Sequence, residues 1–276
     1  MFAASWRRRV SEPKLPRRLG RDDAGVEAMV RILTYNVHRC VGTDRRLDVG
    51  RVAEVIAAQA PDIVALQELD VGRARTGGVD QAHQIAQRLG MAFHFNAALQ
   101  VEEERYGDAI LTTLPERLVK AGAIPTHPRF SRLEPRGAVW IAVDVGGVEL
   151  HVINTHLGLV PREQRLQAAA LAGADWVGAA PAGAPLVLLG DLNATPRHAA
   201  YRALARRLKD AWRIAPAARR APTFPSTFPV LPIDHVFVSE AVGVEAVRTA
   251  LDPLTRLASD HLPLVVDLSV PNRTPS

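Results

Sequence analysis

The chain has 276 residues, of which 47% are hydrophobic, and carries a formal charge of +5. This composition predicts a globular protein with a large core, and no apolar run approaches the roughly 20 residues that cross a membrane. The single cysteine, Cys40, excludes an internal disulfide framework and is compatible with a reducing compartment, so we expect a cytoplasmic protein.

The positive charge is unevenly distributed. Residues 1–28 contain seven basic and four acidic side chains, a net of +3, which leaves +2 for residues 29–276. Because residues 1–28 lack apolar periodicity, we predict a disordered basic tail there, one domain over 29–270 and a C-terminal tail over 271–276. The nearly balanced body argues against a dedicated nucleic-acid binder, which usually has a strongly basic face. We expect a monomer.

Strands and helices alternate along part of the chain. Apolar runs predict strands at 30–35, 63–67, 91–97, 109–114, 138–145, 149–155, 186–189, 233–238, 242–250 and 262–268. Helical spacing predicts helices at 49–60, 80–89, 161–177 and 197–208. In the third helix, the residues predicted to face inward are Leu166, Ala169, Ala170, Gly173 and Val177. The mixture predicts an α/β protein with mixed sheets and external helices.

Polar side chains stand at the ends of many of these apolar runs: Asn36, Glu68, His156, Asp191, Asn193, Asp234, Asp260 and His261. Four carboxylates gathered at one end of a sheet would repel each other and raise each other's pKa. Mg²⁺ or Mn²⁺ would resolve that conflict, because both ions prefer oxygen ligands. Glu68 is the best single candidate ligand; the alternative is an ordinary exposed acid at a strand end.

The remaining tip residues suggest proton transfer and phosphate binding. Asp191 and Asn193 alternate along an extended segment, so the carboxylate can position a water while the amide holds a phosphoryl oxygen; an Asx turn is the alternative. Asp234 can orient His261 as an acid or base, and His156 offers a second donor, although a helix cap and ordinary core histidines would also fit.

Two further segments precede strands. In Glu134-Pro135-Arg136-Gly137, Arg136 can clamp a phosphate, or it can form a surface ion pair with Glu134. The hydroxyl of Tyr106 can lie near the scissile phosphate, or its ring can serve only in packing. The turn-rich segment 223–229 is predicted to lie near the mouth of the site.

Taken in order, these segments resemble the endonuclease/exonuclease/phosphatase superfamily over about residues 30–268. The matching motifs are Leu33-Thr34-Tyr35-Asn36, Leu66-Gln67-Glu68, Tyr106-Gly107-Asp108, Asn154-Thr155-His156, Gly190-Asp191-Leu192-Asn193, Ile233-Asp234-His235 and Ser259-Asp260-His261. Each motif alone is weak, but all of them in order are highly specific. The closest similarity is to compact bacterial members of undetermined substrate.

The resemblance implies a four-layer sandwich, with two packed mixed sheets between helices. It implies Glu68 as the principal Mg²⁺ ligand, assisted by Asn36 and Asp260. It also implies Asp191 and Asn193 at the attacking water and phosphate, His261 braced by Asp234, His156 as a second catalytic histidine, and Arg136 facing the phosphate. Asp108 departs from the family pattern, in which asparagine usually follows Tyr-Gly.

We therefore expect a Mg²⁺-dependent hydrolase that cleaves a phosphodiester by in-line attack of water. A small-molecule or lipid-headgroup substrate is favoured by the near-neutral body and by the apolar segment 157–160. The alternatives are a nuclease acting on DNA or RNA and a non-catalytic binding module on the same scaffold.

Overall fold

The computed structural model describes residues 27–128, 133–216 and 219–271. Within them lie twelve strands: β1 (Glu27–Asn36), β2 (Ile63–Val71), β3 (Ala92–Val101), β4 (Glu104–Thr112), β5 (Glu116–Ala123), β6 (Gly137–Val145), β7 (Val148–His156), β8 (Leu186–Asp191), β9 (Lys209–Asp210), β10 (Asp234–Val238), β11 (Gly243–Thr249) and β12 (Leu264–Pro271). The helices are α1 (Val49–Gln59), α2 (Gln81–Leu89), α3 (Pro161–Leu171), α4 (Ala199–Leu204), α5 (Ala211–Ile214) and α6 (Pro253–Ala258).

The strands form two mixed sheets of six. Sheet 1 has the order β11-β12-β1-β2-β4-β3, and sheet 2 has the order β5-β6-β7-β8-β10-β9. One face of each sheet packs against the other sheet through aliphatic side chains such as Ile32 and Ile63 from sheet 1 and Val152 and Val187 from sheet 2. This buried apolar surface is the main stabilising layer.

Helices cover the two outer faces. α1, α2 and α6 contribute to the apolar cluster on sheet 1, and α3 and α4 contribute to the cluster on sheet 2. The arrangement confirms the predicted four-layer α/β sandwich. Helix ends also follow local sequence signals: Asp48 and Asp80 accept backbone hydrogen bonds as N-caps of α1 and α2, and Gly90 ends α2 in the left-handed conformation.

Several predicted bounds were wrong. β1 begins at Glu27, two residues inside the predicted tail, and β12 ends at Pro271, while residues 1–26 and 272–276 of the predicted tails lie outside the described chain. The third helix was predicted over 161–177, but α3 ends at Leu171, shortly before Gly173. The edge strand β5 was not predicted, because its sequence mixes charged and apolar residues without a long apolar run.

The inward face predicted for α3 was also wrong. Leu166 is 38% exposed, whereas Glu163, Gln164 and Gln167 are buried. The two glutamines bind the backbone of Gly158, which lies between β7 and α3. Gln164 donates to the carbonyl of Gly158, and Gln167 accepts from the N–H of Gly158, each at 2.9 Å. Backbone hydrogen bonding by these glutamines therefore acts together with the burial of Ala168 and Leu171 to decide which face of α3 turns inward.

Candidate active site

The predicted site residues come from both sheets and meet where the sheets face each other. Asn36 ends β1 and Glu68 lies in β2, both in sheet 1. In sheet 2, the ends of β7 and β8 place His156 beside Asp191, and Asp191 also pairs with Asp234 at the start of β10. The pairing of the adjacent strands β7, β8 and β10 thus brings two carboxylates and an imidazole together at the ends of these strands.

The sequence suggested that Glu68 stands at the tip of a strand, but it lies inside β2. β2 continues to Val71, and its pairing with β4 shifts register between Leu66 and Leu69. Glu68 occupies this irregularity with a φ of 62°, a left-handed conformation that is unfavourable for most residues. The bulge leaves the Glu68 side chain only partly buried, whereas its neighbours in the strand are buried.

The side-chain amide of Asn36 joins the two halves of the site. Its Nδ2 donates to Oε1 of Glu68 at 3.0 Å and to Oδ2 of Asp191 at 3.0 Å. Its Oδ1 accepts from the backbone N–H of His38, also at 3.0 Å. One neutral amide group therefore donates hydrogen bonds to two carboxylates that come from different sheets.

Asp191 is a buried carboxylate at the centre of the site. It is 1% exposed, and its Oδ1 accepts from the backbone N–H of Asn193 at 2.8 Å. Burial, together with the charge of Asp234, raises its pKa to about 7, whereas His261 and the two asparagine contacts oppose the shift. A carboxyl group with this pKa can exchange a proton near neutral pH.

His261 is held as a cation. Its Nδ1 lies 2.9 Å from Oδ2 of Asp234, and its Nε2 lies 3.6 Å from Oδ2 of Asp191. Burial lowers the pKa of this imidazole, but the charges of Asp234 and Asp191 outweigh burial and raise the pKa to about 10. The ring of Phe224 packs 4.8 Å away, so the segment around residues 223–229 does lie at the site.

His156 is the neutral counterpart of His261. Nη1 of Arg136 lies 3.0 Å from its Nδ1, and the guanidinium can only donate in this contact. The Nε2 of His156 is 3.4 Å from Oδ2 of Asp191. Burial, together with the positive charges of Arg136 and His261, lowers the pKa of His156 well below its usual value.

Arg136 itself is 8% exposed and also pairs with Glu134 at 2.9 Å. Arg136 therefore fills both roles that the sequence left as alternatives: it forms the ion pair with Glu134 and it faces into the site. Asn193 completes this corner, because its Nδ2 donates to the carbonyl of Leu157 at 3.0 Å and lies 3.0 Å from Nε2 of His156.

The tightest group of metal-ligand side chains in the described part of the chain differs from the predicted ligand set. It consists of Asp191, Asp234 and His261, whose ligand atoms all lie within 4.8 Å of one another. The predicted ligand Asp260 lies at the edge, with a side chain 38% exposed and Oδ1 3.9 Å from Nδ1 of His38. Its neighbour Ser259 donates to the carbonyl of Asn36 at 2.8 Å, which ties this edge to β1.

Two side chains of β4, the aromatic Tyr106 and the acidic Asp108, are also buried. Tyr106 is 5% exposed, its ring is 5.5 Å from the guanidinium of Arg75, and its pKa is raised by burial and by the charge of Glu68. Burial also raises the pKa of Asp108 to about 8. At neutral pH this carboxyl group is therefore mostly protonated and resembles the asparagine that is usual in the family.

Sequence reasoning missed a polar contact between the sheets directly behind the site. Nε2 of Gln67 donates to Oδ1 of Asn154 at 2.7 Å, and Nδ2 of Asn154 donates to the carbonyls of Leu66 and Ala109, each at 2.9 Å. Asn154 belongs to sheet 2 and its three partners belong to sheet 1. The signal that could have found it is a polar residue inside an otherwise apolar strand, next to a catalytic candidate.

Comparison with known proteins agrees with this geometry. The sequence model of the endonuclease/exonuclease/phosphatase family matches residues 33–261. The chain is 28% identical over 250 residues to the uncharacterized Escherichia coli K12 protein YbhP, covering 86% of this chain and 95% of that protein.

Solved structures extend the likeness. An endonuclease/exonuclease/phosphatase from Beutenbergia cavernae has a TM-score of 0.72 and 25% identity, covering 89% of this chain and 72% of its own. The Bacteroides thetaiotaomicron mannosyl-6-phosphatase Bt3783 has a TM-score of 0.66 and 20% identity, covering 87% of this chain and 99% of its own, and shows the shared fold. With most of its length matched by the family model, this chain belongs to the endonuclease/exonuclease/phosphatase family, whose members are hydrolases of phosphoesters.

Proposed function

We propose that this protein hydrolyses a phosphodiester with the help of a divalent cation. The observation that carries the proposal is the contrast between two histidines that face the same carboxylate oxygen. His261 is cationic and His156 is neutral, and their Nε2 atoms lie 3.6 Å and 3.4 Å from Oδ2 of Asp191. Such a set provides both a base and cationic or neutral hydrogen-bond donors in one dry site.

The residues at the mouth fit a hard divalent cation. The partly exposed carboxylates of Glu68 and Asp260 are oxygen donors, and the amide of Asn36 already contacts Glu68. Glu68, with Asn36 and Asp260, would hold Mg²⁺ or Mn²⁺. The cation would supply positive charge to the phosphoryl oxygens.

The chain's own residues then divide the chemistry. Asp191, with a pKa of about 7, orients the attacking water and accepts its proton. The imidazolium of His261, fixed by Asp234, donates to the charged phosphoryl group or to the leaving oxygen. His156, held by Arg136, and the Nδ2 of Asn193 donate to the remaining phosphoryl oxygens.

A lipid-headgroup or other small diester is the favoured substrate. Leu159, three residues after His156, is 73% exposed, and Phe228, four residues after the Phe224 that packs on His261, is 75% exposed. Exposed apolar side chains beside a polar site match an amphipathic substrate. The phosphatase among the similar structures adds phosphomonoesters to the substrates that should be compared.

A metal-dependent activity panel tests the proposal. Purified protein is assayed with and without Mg²⁺ on bis-p-nitrophenyl phosphate, p-nitrophenyl phosphate, sphingomyelin, inositol phosphates, abasic duplex and plasmid. Glu68→Ala and His261→Ala should each lose roughly a hundredfold to a thousandfold in rate. Glu54→Ala, an exposed acid on α1, is the matched control.

The outcomes separate the alternatives. Cleavage of plasmid or abasic duplex in preference to small diesters would favour a nuclease. Activity that persists undiminished in both Glu68→Ala and His261→Ala would contradict the assigned site. A wild-type protein that cleaves no substrate and binds no Mg²⁺ by calorimetry would identify a non-catalytic module.

A further inference from the structure

The nearly neutral net charge of the body conceals a strong separation of charge. Residues 161–220 contain ten basic and four acidic side chains, a net of +6. Because residues 29–276 carry +2 in total, the rest of the body carries −4. The basic segment covers α3, α4 and α5, which lie outside the catalytic network.

Within that segment, exposed arginines line two adjoining grooves. Arg162 and Arg165 of α3 face Arg202 of α4 and Arg206 just beyond it, across a groove of about 580 Å³. Arg202 and Arg206 also line a second groove of about 470 Å³. Within residues 27–128, 133–216 and 219–271, none of these four arginines forms an ion pair with a carboxylate. Their charge is available to an external anion.

This basic surface begins at the edge of the active site. α3 starts a few residues after His156, and α4 starts a few residues after Asp191 and Asn193. Nε2 of Gln164 donates to the carbonyls of Gly158 and Asn193, each at 2.9 Å, and so ties α3 to both site segments. The position of the arginines relative to the site is therefore fixed by hydrogen bonds.

Apolar side chains project from the same end of the molecule. Leu159, which precedes α3, is 73% exposed. Phe228 and Val230 are 75% and 54% exposed, in a loop whose Ser226 N–H donates to the carbonyl of Asp260 at 2.7 Å. Large apolar side chains with this exposure, next to a basic surface, are typical of proteins that insert into the interface of a bilayer.

We propose that this end of the protein docks on an anionic phospholipid bilayer. The arginines of α3 and α4 would bind headgroup phosphates, and Leu159 and Phe228 would enter the interface, which presents the site to a headgroup diester. The identity of that substrate rests on the proposed function, but docking itself does not. A nucleic-acid strand fits less well, because Tyr201 in the second groove is 3% exposed and offers no stacking surface.

Vesicle co-sedimentation of the full metal-free chain tests docking without catalysis. We expect binding to vesicles of equal parts phosphatidylcholine and phosphatidylserine, and much weaker binding to phosphatidylcholine alone. Each basic residue near an anionic surface is worth about fivefold in binding, so Arg165→Glu with Arg202→Glu should weaken binding by at least roughly twentyfold. Arg88→Glu with Arg117→Glu, two exposed arginines on α2 and β5, is the charge-matched control.

A second pair of variants separates apolar insertion from electrostatic attraction. Leu159→Ser with Phe228→Ser should weaken binding to the anionic vesicles at high salt, where charge is screened. Met29→Ser, at the opposite end of β1 from Asn36 and 39% exposed, should not. The arginine variants and Met29→Ser should retain activity on soluble bis-p-nitrophenyl phosphate, which reports on the proposed function separately.

Results of two kinds would overturn docking. One is an absence of vesicle binding by the wild type, or binding that the double arginine variant leaves unchanged. The other is tight binding of a fluorescent single-stranded oligonucleotide that depends on Arg165 and Arg202 and exceeds binding to the vesicles, which would assign the surface to nucleic acid.

Discussion

Replacing Asp191 with asparagine should stabilise the metal-free protein increasingly as the pH rises. Burial raises the pKa of Asp191 from 3.8 to about 7. The folded protein therefore holds this proton more tightly than the unfolded chain does. By linkage, the free energy of unfolding falls as the pH rises from 3.8 through about 7, because ionising this group is harder in the folded state. Asparagine has no such proton to lose.

The expected size of the effect follows from that shift. One pKa unit corresponds to about 1.4 kcal/mol, and about two units lie between pH 5 and the folded pKa, so wild type loses roughly 3 kcal/mol between about pH 5 and about pH 8 that the variant keeps. The contacts to Asn36 and Asn193 that the substitution weakens carry no strong pH dependence, so they largely cancel in the comparison.

Urea denaturation in EDTA at both pH values measures the difference between Asp191→Asn and wild type. The exposed Asp175→Asn is the matched control. A difference that stays constant between the two pH values, or shrinks, would refute the reasoning about this carboxyl group. In the presence of Mg²⁺, the same variant should lose roughly a hundredfold to a thousandfold in hydrolysis rate.

Three further changes test separate parts of the structure. Asp234→Asn should lower the pKa of His261 from about 10, which NMR titration of the imidazole measures; an unchanged value would show that Asp234 does not hold the proton. Gln164→Leu should lower the free energy of unfolding by about 1–3 kcal/mol, because it removes a hydrogen bond from each of the carbonyls of Gly158 and Asn193, and full stability in urea would contradict this role. Ala60→Gly should raise the melting temperature, since Ala60 ends α1 with a φ of 48° where glycine saves about 1 kcal/mol; a lower melting temperature would argue against that strain.

The positions of the catalytic candidates could be predicted because apolar strands are strong local signals. A buried run such as Leu186–Leu189 can end in polar side chains only where those side chains find partners, so the residues alone indicate a site at Asp191 and Asn193. Ordered motifs then imply that distant runs converge. The fold brings Glu68, His156 and His261 around Asn36 and Asp191 through direct contacts.

Other features depend on contacts between segments far apart in sequence. The bulge at Glu68 reflects a register shift against β4, and nothing within residues 63–68 encodes it alone. The inward face of α3 includes glutamines that bind backbone groups near Gly158, so hydrophobic periodicity alone was misleading there. The net charge also misled, because it averages the basic surface of α3 and α4 with an acidic remainder.

The hydrogen bonds from Asn154 across the sheets have a consequence for how the proposed activity would be lost. Asn36 and Glu68 belong to one half of the sandwich, and His156 and Asp191 belong to the other. A small shift of one sheet relative to the other would separate these site residues. The hydrogen bonds between strands within each sheet would stay intact. During gradual denaturation, turnover should therefore vanish before the circular dichroism signal of the strands changes.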